Sequence, residues 1–181
     1  LEVRRARDDI EREKLWKARK GAFAALANIH PDYYTIDGTI PRRCLADVLA
    51  RYAQLAAEYN MLVANVFHAG DGNLHPCIFY DAGKAGELER SEELGGRMLE
   101  ICIEVGGTIT GEHGVGIEKL RQMCVQFRPS ELAIFHAIKE AFDPTGILNP
   151  GKGIPALKRC AEWGGMHVHG GNIPRADIPR F

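Results

Sequence analysis

A glycine-rich turn between two apolar segments constrains the fold more than any other feature of the sequence. Residues 61–69 and 75–80 carry the β-branched and aromatic side chains that are typical of strands. Between them stands Gly70-Asp71-Gly72-Asn73, in which Asp71 and Asn73 favour the positive-φ backbone of a tight reversal. The sequence therefore predicts a β-hairpin at this point.

Helices and one further strand are predicted around this hairpin. The helices are expected over residues 41–59, with Pro41 in the first turn, and over residues 87–105, 117–124 and 130–142. Ser130 is the expected cap of the last one, and residues 33–36 are an expected strand. A charged helix over residues 1–27 would begin without a capping residue, which suggests a piece cut from a longer chain. Strands joined by helices predict an α+β fold with an antiparallel sheet.

Composition excludes some classes of function. The 181 residues are 45% hydrophobic, and 23 Lys and Arg nearly balance 24 Asp and Glu, so no global field favours nucleic acid or an anionic membrane. No apolar run approaches the ~20 residues that span a bilayer. The five cysteines are odd in number and scattered, which favours small buried thiols and a reducing compartment.

The hairpin carries two histidines, His68 and His75, on either side of its turn. A single histidine on an apolar strand is more often a satisfied core residue than a ligand. Seven residues apart on alternating strands, the two would normally face opposite ways. The turn reverses the chain, however, and can bring both imidazoles to one end of the hairpin. Asp71 is an expected turn former, with a contact to an imidazole N–H as the alternative.

A second motif, Gly111-Glu112-His113-Gly114-Val115-Gly116, places an acid and a base among three glycines. Such glycines indicate close backbone approach or unusual dihedral angles. His68, His75 and Glu112 would form a two-histidine, one-carboxylate site that suits zinc, manganese or iron. His113 would stand beside it as a base. A purely structural role for both motifs remains the alternative.

Three motifs together resemble the C-terminal domain of FAD-linked oxidases of the vanillyl-alcohol-oxidase superfamily. The first is H-x-G-D-G-N-x-H at residues 68–75, and the second is G-E-H-G-[VI]-G at residues 111–116. The third, D-P-x-x-[IL]-[LM]-N-P-G-K at residues 143–152, would by itself indicate only a helix end followed by turns. Their order along the chain makes a chance agreement implausible.

This resemblance implies a two-domain flavoenzyme that oxidises a 2-hydroxy acid of the glycolate or D-lactate type to a 2-oxo acid. Residues 1–155 would be a truncated cap domain, with a ferredoxin-like antiparallel sheet, helices on one face and the substrate pocket; residues 156–181 would be a tail. FAD would be held mainly by another domain of the same parent chain. Without that domain, the chain alone is expected to be inactive.

The resemblance also implies roles for individual residues. His68, His75 and Glu112 match metal ligands, His113 matches the active-site base, Arg19 matches an arginine that binds the substrate carboxylate, and Asn149 and Lys152 match a segment against the flavin. Thr35 and Cys77 stand where relatives with larger substrates have a lysine and an asparagine. Those two departures favour a small acid.

Partners and location follow from the same resemblance. Iron–sulfur and second flavin-type subunits would receive the electrons, in the cytoplasm or at the inner face of the membrane. Apolar surface left by the truncation would favour homo-oligomers. The rival hypotheses are a stand-alone metal-dependent hydrolase, which would act without flavin, and a non-catalytic interaction domain, which would bind no metal.

Overall fold

The computed structural model describes residues 4–30 and 32–156 and confirms the α+β class with an antiparallel sheet. Its helices are α1 (Asp9–Lys20), α2 (Ala22–Leu26), α3 (Leu45–Glu58), α4 (Glu87–Glu104), α5 (Leu120–Gln126) and α6 (Pro129–Phe142). Its strands are β1 (Asp32–Thr35), β2 (Gly38–Thr39), β3 (Val63–His68) and β4 (Asn73–Tyr80). The predicted tail and Cys160 lie outside the described residues.

The predicted hairpin is formed by β3 and β4, and β4 is the centre of the sheet. β3 pairs with one edge of β4 from Val63↔Ile78 to His68↔Asn73. The other edge of β4 pairs with β1 and then with β2. Between these two short strands the chain is interrupted at Ile36 and Asp37, although the Ile36 N–H still donates to the Pro76 carbonyl at 3.3 Å.

The hairpin turn places its positive φ differently from the prediction. Gly72 has φ +76°, whereas neither Asp71 nor Asn73 has a positive φ. A Cβ on Gly72 would lie 2.2 Å from the Ile40 carbonyl oxygen, so only glycine fits there. The prediction for Asp71 and Asn73 was wrong because Gly72 alone supplies the left-handed residue that this turn needs.

The two faces of the sheet bury different clusters. On one face, Leu74 and Ile78 of β4 join the larger core, to which α3, α4, α5 and α6 all contribute. On the other face, Cys77 and Phe79 pack in a smaller cluster with Leu26 of α2. Since side chains alternate along a strand, His75 belongs to this second face, which the helices cover only partly.

Four helix starts differ from the sequence predictions. α3 begins at Leu45, after a 3-10 turn over Arg42–Cys44, and α5 begins at Leu120, three residues later than predicted. α1 begins at Asp9, and the Asp8 carboxylate caps it by accepting the Glu11 N–H at 2.8 Å. At its other end the helix stops at Gly21. α6 begins at Pro129, whose fixed φ suits a first helical turn, so Ser130 lies inside the helix and is not its cap.

Two further expectations concern membrane spans and cysteines. Among the described residues, no helix combines the length and the apolar character that crossing a bilayer requires. Cys44, Cys77 and Cys102 are free thiols. Cys124 is disulfide-bonded, which corrects the expectation that the cysteines are simply small buried thiols.

Candidate active site

The hairpin register places His68 and His75 on the same face of the sheet. His68 pairs with Asn73 and Val66 pairs with His75, so the two histidines are diagonal neighbours on adjacent strands. Their ring centroids are 5.5 Å apart, at an interplanar angle of 84°. The prediction that the turn brings the imidazoles together is therefore confirmed, and the cause is the strand pairing that the turn sets.

Glu112 approaches both imidazoles from the loop after α4. Its Oε1 lies 2.8 Å from His75 Nε2 and 3.8 Å from His68 Nε2. One ligand atom from each of the three residues lies within 4.8 Å of the others. A zinc ion bonds such atoms at about 2.0–2.2 Å, so a small adjustment of side chains would close the set around one ion. The donor types and their convergence fit a divalent metal.

His68, His75 and Glu112 differ in how far they are exposed to solvent. His75 is 3% exposed, whereas the side chains of His68 and Glu112 are 46% and 52% exposed. The buried ring is fixed by the sheet, and the two exposed groups leave one side of the site open. An ion held there would keep positions for a substrate.

His113 lies in the same cleft but outside the ligand cluster. Its ring stacks on His75 at 5.0 Å between centroids and 17° between planes. Its Nε2 is 3.7 Å from Glu112 Oε1, and the side chain is 53% exposed. The loop is bent at these residues and directs both the Glu112 and the His113 side chains to one cleft.

Arg19 completes the cleft from the end of α1. Its guanidinium donates to the Phe67 carbonyl at 3.5 Å, next to His68. The cleft has a volume of about 370 Å³ and is lined by Arg19, Phe23, Tyr33, Thr35, His68, His75, Glu112 and His113. The Thr35 hydroxyl donates to the buried Cys77 thiol at 3.4 Å, so Cys77 contacts a lining residue without lining the cleft itself.

Asp37 is a buried residue of this region that the sequence analysis missed. Its Oδ2 accepts hydrogen bonds from the N–H groups of Gly111 and His113 at 2.9 Å and from that of Glu112 at 3.1 Å. It also accepts one from the Thr110 hydroxyl at 2.9 Å. The only sequence signal was an acid before a glycine at a strand end, which by itself indicates a turn.

The charge of Asp37 is balanced by Lys119, whose Nζ lies 3.4 Å from Oδ2 and 3.0 Å from the Asp37 carbonyl oxygen. Burial raises the pKa of Asp37, but the N–H groups of His113 and Gly111, the Thr110 hydroxyl and the Lys119 ammonium outweigh it. They hold the pKa of this carboxyl well below its usual value. Asp37 is therefore a buried anion.

Asn149 and Lys152 lie in a turn beside the end of the site loop. Asn149 has φ +46°, and its carbonyl accepts the Lys152 N–H at 3.3 Å. The next residue, Gly153, donates its N–H to the Gly116 carbonyl at 2.7 Å. Both side chains are exposed and neither lines the cleft. Their role towards a flavin stays a prediction.

Comparison with known proteins identifies the family. Residues 1–153 match the family model described as FAD linked oxidases, C-terminal domain. The chain belongs to this family. All three motifs of the resemblance fall inside the matched range.

Several curated proteins are similar over most of the chain. The glycolate oxidase subunit GlcD of Escherichia coli is 58% identical over 180 residues, which are 99% of this chain and 36% of that protein. GlcD of Bacillus subtilis is 40% identical over 152 residues, covering 84% of this chain and 32% of that protein. The mitochondrial D-lactate dehydrogenase [cytochrome] of Arabidopsis thaliana is 33% identical over 152 residues, covering 83% and 27%. The chain thus spans about a third of the length of these relatives.

Proposed function

We propose that this chain is the substrate- and metal-binding part of an FAD-dependent 2-hydroxyacid dehydrogenase that oxidises glycolate or D-lactate to the 2-oxo acid. Family membership supports a flavin-linked oxidation. The observation that carries the proposal is the convergence of two imidazoles on the Glu112 carboxylate, with His113 and Arg19 in the same cleft. FAD would be held mainly by a part of the parent protein outside this chain.

Each cleft residue has a distinct task in this proposal. His68, His75 and Glu112 hold a divalent cation, zinc, manganese or iron, and Arg19 binds the substrate carboxylate through its planar guanidinium. When bound, the cation would supply Lewis acidity to the 2-hydroxyl, and FAD would supply the acceptor for the hydride lost from C2. His113 accepts the hydroxyl proton. The acid thereby loses one proton and one hydride and becomes a 2-oxo acid.

The rest of the cleft lining supports a small, uncharged substituent on C2. Phe23 and Tyr33 offer aromatic surface, and the Thr35 hydroxyl is directed to the Cys77 thiol. Arg19 is the one cationic side chain among the cleft-lining residues that the structure describes. A second substrate carboxylate would find no partner there. Asn149 and Lys152 would face the flavin from the adjacent turn.

We extend the proposal to partners and location. The relatives named glycolate oxidase subunit GlcD are subunits, and an iron–sulfur subunit and a second flavin-type subunit would receive the electrons here. The complex would lie in the cytoplasm or against the inner face of the membrane. Homo-oligomers through exposed apolar surface, for example Phe142 at 83% exposure and Ile147 at 75%, are a further part of this proposal.

The test uses the full-length protein that contains this chain. We expect oxidation of glycolate or D-lactate with an artificial electron acceptor, and about one equivalent of divalent metal by elemental analysis. His113→Ala should lower kcat by about two to four orders of magnitude with the metal retained, because only the base is lost. His75→Ala should lose the metal, while His30→Asn, outside the cleft, should keep it.

Four outcomes would contradict the proposal or the expectation that this chain alone is inactive. A near-normal kcat in His113→Ala would remove this residue from the chemistry. Hydrolytic activity without flavin would favour the metal-dependent hydrolase instead. Neither turnover nor bound metal in the wild-type protein would favour a non-catalytic interaction domain. Turnover by the present chain alone with added FAD would also contradict the expectation that it is inactive.

A further inference from the structure

We propose that the buried pair of Asp37 and Lys119 positions the metal-binding loop, so that Glu112 and His113 meet His75 in a fixed geometry. We call Asp37 together with Lys119 the anchor. The inference rests on the proposed function for its metal, but its structural part concerns only the loop and the sheet. Neither anchor residue lines the cleft, so they act through Glu112 and His113.

The Asp37 carboxylate of the anchor accepts hydrogen bonds from backbone N–H groups at the bend of the loop. Three consecutive N–H groups, those of Gly111, Glu112 and His113, donate to the single Asp37 carboxylate. These N–H groups are partly buried and need an acceptor, and consecutive groups in a bent loop cannot all pair with one strand. One carboxylate that accepts all three therefore fixes the backbone from which both functional side chains project.

The sheet in turn fixes Asp37 relative to His75. Thr35 pairs with Cys77 and Gly38 pairs with Leu74, and these two pairings keep the same register. That register sets Asp37 opposite His75. His75 in β4 and the Asp37 carboxylate are therefore one strand spacing apart. Through its bonds to the loop, Asp37 sets where Glu112 lies relative to His75.

Lys119 balances the negative charge of Asp37 in a buried environment. The Asp37 and Lys119 side chains are 0% and 2% exposed. An unpaired carboxylate at such a position would favour its neutral form and would then accept fewer hydrogen bonds. The ammonium keeps Asp37 ionised and also bonds its carbonyl oxygen, which ties the loop, the strand interruption and the segment before α5 together.

Close packing leaves the loop little freedom to move away. A Cβ on Gly111 would lie 2.6 Å from the side chain of Asn73, which precedes His75 by two residues in β4. The loop therefore contacts the hairpin directly at Gly111. Hydrogen bonds hold it on one side and the hairpin limits it on the other.

The experiment compares two charge-balanced double variants of the full-length protein. Asp37→Asn with Lys119→Met removes the anchor without leaving a buried charge. Asp143→Asn with Lys139→Met is the matched control, because Asp143 also accepts two loop N–H groups and pairs with a lysine, away from the cleft. Zn²⁺ affinity is measured by competition with a chromophoric chelator. Hydrogen–deuterium exchange of the peptide covering residues 110–114 is measured without metal.

For the anchor variant we expect Zn²⁺ affinity to fall about 10- to 100-fold and exchange at residues 110–114 to accelerate. The control should leave both unchanged. Wild-type exchange rates at residues 110–114, or wild-type Zn²⁺ affinity, in the anchor variant would overturn the inference. If the wild-type protein binds no Zn²⁺ but the anchor variant exchanges faster, the loop-holding role is supported and the metal in the proposed function fails. If the double variant does not fold, Thr110→Val gives the same two readouts.

Discussion

Two loops of this protein are each held by a buried aspartate and a lysine, and they differ in sequence distance and in the burial of the lysine. Asp37 accepts N–H groups from residues 74 to 76 positions away, and both it and Lys119 are at most 2% exposed. Asp143 accepts the N–H groups of Ile147 and Leu148, four and five positions away, and its partner Lys139 is 35% exposed. The same type of hydrogen bonding thus makes a long-range contact at Asp37 and stabilises a local turn at Asp143.

The difference shows what burial adds to an ion pair. Water can replace Lys139 beside Asp143, since that lysine is partly solvated. Nothing replaces Lys119, because the surroundings of Asp37 exclude water and strengthen every electrostatic interaction. The pair of Asp37 and Lys119 can therefore hold a functional loop in one geometry. The pair of Asp143 and Lys139 only ends helix α6 and shapes the turn that follows.

The largest effect expected from this comparison is that of removing each lysine. Lys119→Met removes the ammonium that balances the buried Asp37 carboxylate, and we expect a loss of about 3–5 kcal/mol in the free energy of unfolding. Lys139→Met should cost far less. Urea unfolding of both variants measures the difference. Equal losses would mean that burial does not distinguish the two pairs.

A smaller effect is expected on acid stability. The folded-state pKa of Asp37 is lowered, so the unfolded chain takes up this proton first as the pH falls. Ionised Asp37 therefore stabilises the fold above about pH 4, and this contribution is lost as the pH falls from there towards the folded-state pKa. Asp37→Asn with Lys119→Met should flatten the dependence of stability on pH between about pH 5 and 2.

The pKa of Asp143 is also lowered, chiefly by its hydrogen bond with Lys139, so its stabilisation is lost in the same direction. Fewer groups bond to it, and the control double variant should change the slope less. The measurement is the free energy of unfolding in urea at several acidic pH values. A steeper slope in the anchor variant than in the wild-type protein would contradict the assignment of Asp37 as a buried anion.

The smallest effect is expected from single hydroxyl deletions in the two loops. Thr110 donates to Asp37 and accepts the Gly114 N–H at 2.9 Å. Thr110→Val should cost about 1–2 kcal/mol and weaken Zn²⁺ binding, because two hydrogen bonds of the loop are lost. Thr145→Val, at an exposed position of the other loop, should be nearly silent in both measurements. A Thr110→Val variant that is silent in both measurements would contradict the role of Asp37 in holding the loop.

Much of the fold and the cleft was predictable because the signals are local. The turn at Gly72, the periodicity of α3 and α4 and the two strands of the hairpin each depend on neighbouring residues. The ligand set of His68, His75 and Glu112 and the base at His113 could be proposed from motif chemistry, and the structure brings these four side chains to one cleft. Ser130 was wrongly predicted as a cap because Pro129 begins the helix one residue earlier.

By itself, the sequence determined most of the secondary structure, the hairpin and the residue types that can hold a metal, since each is a property of short segments. Only the tertiary structure decided that His68 and His75 share a face, because strand register is a relation between two strands. It alone also decided that Asp37 and Lys119 hold the loop of Glu112. The physical reason is that a buried charge is stable only beside partners that folding brings from distant parts of the chain.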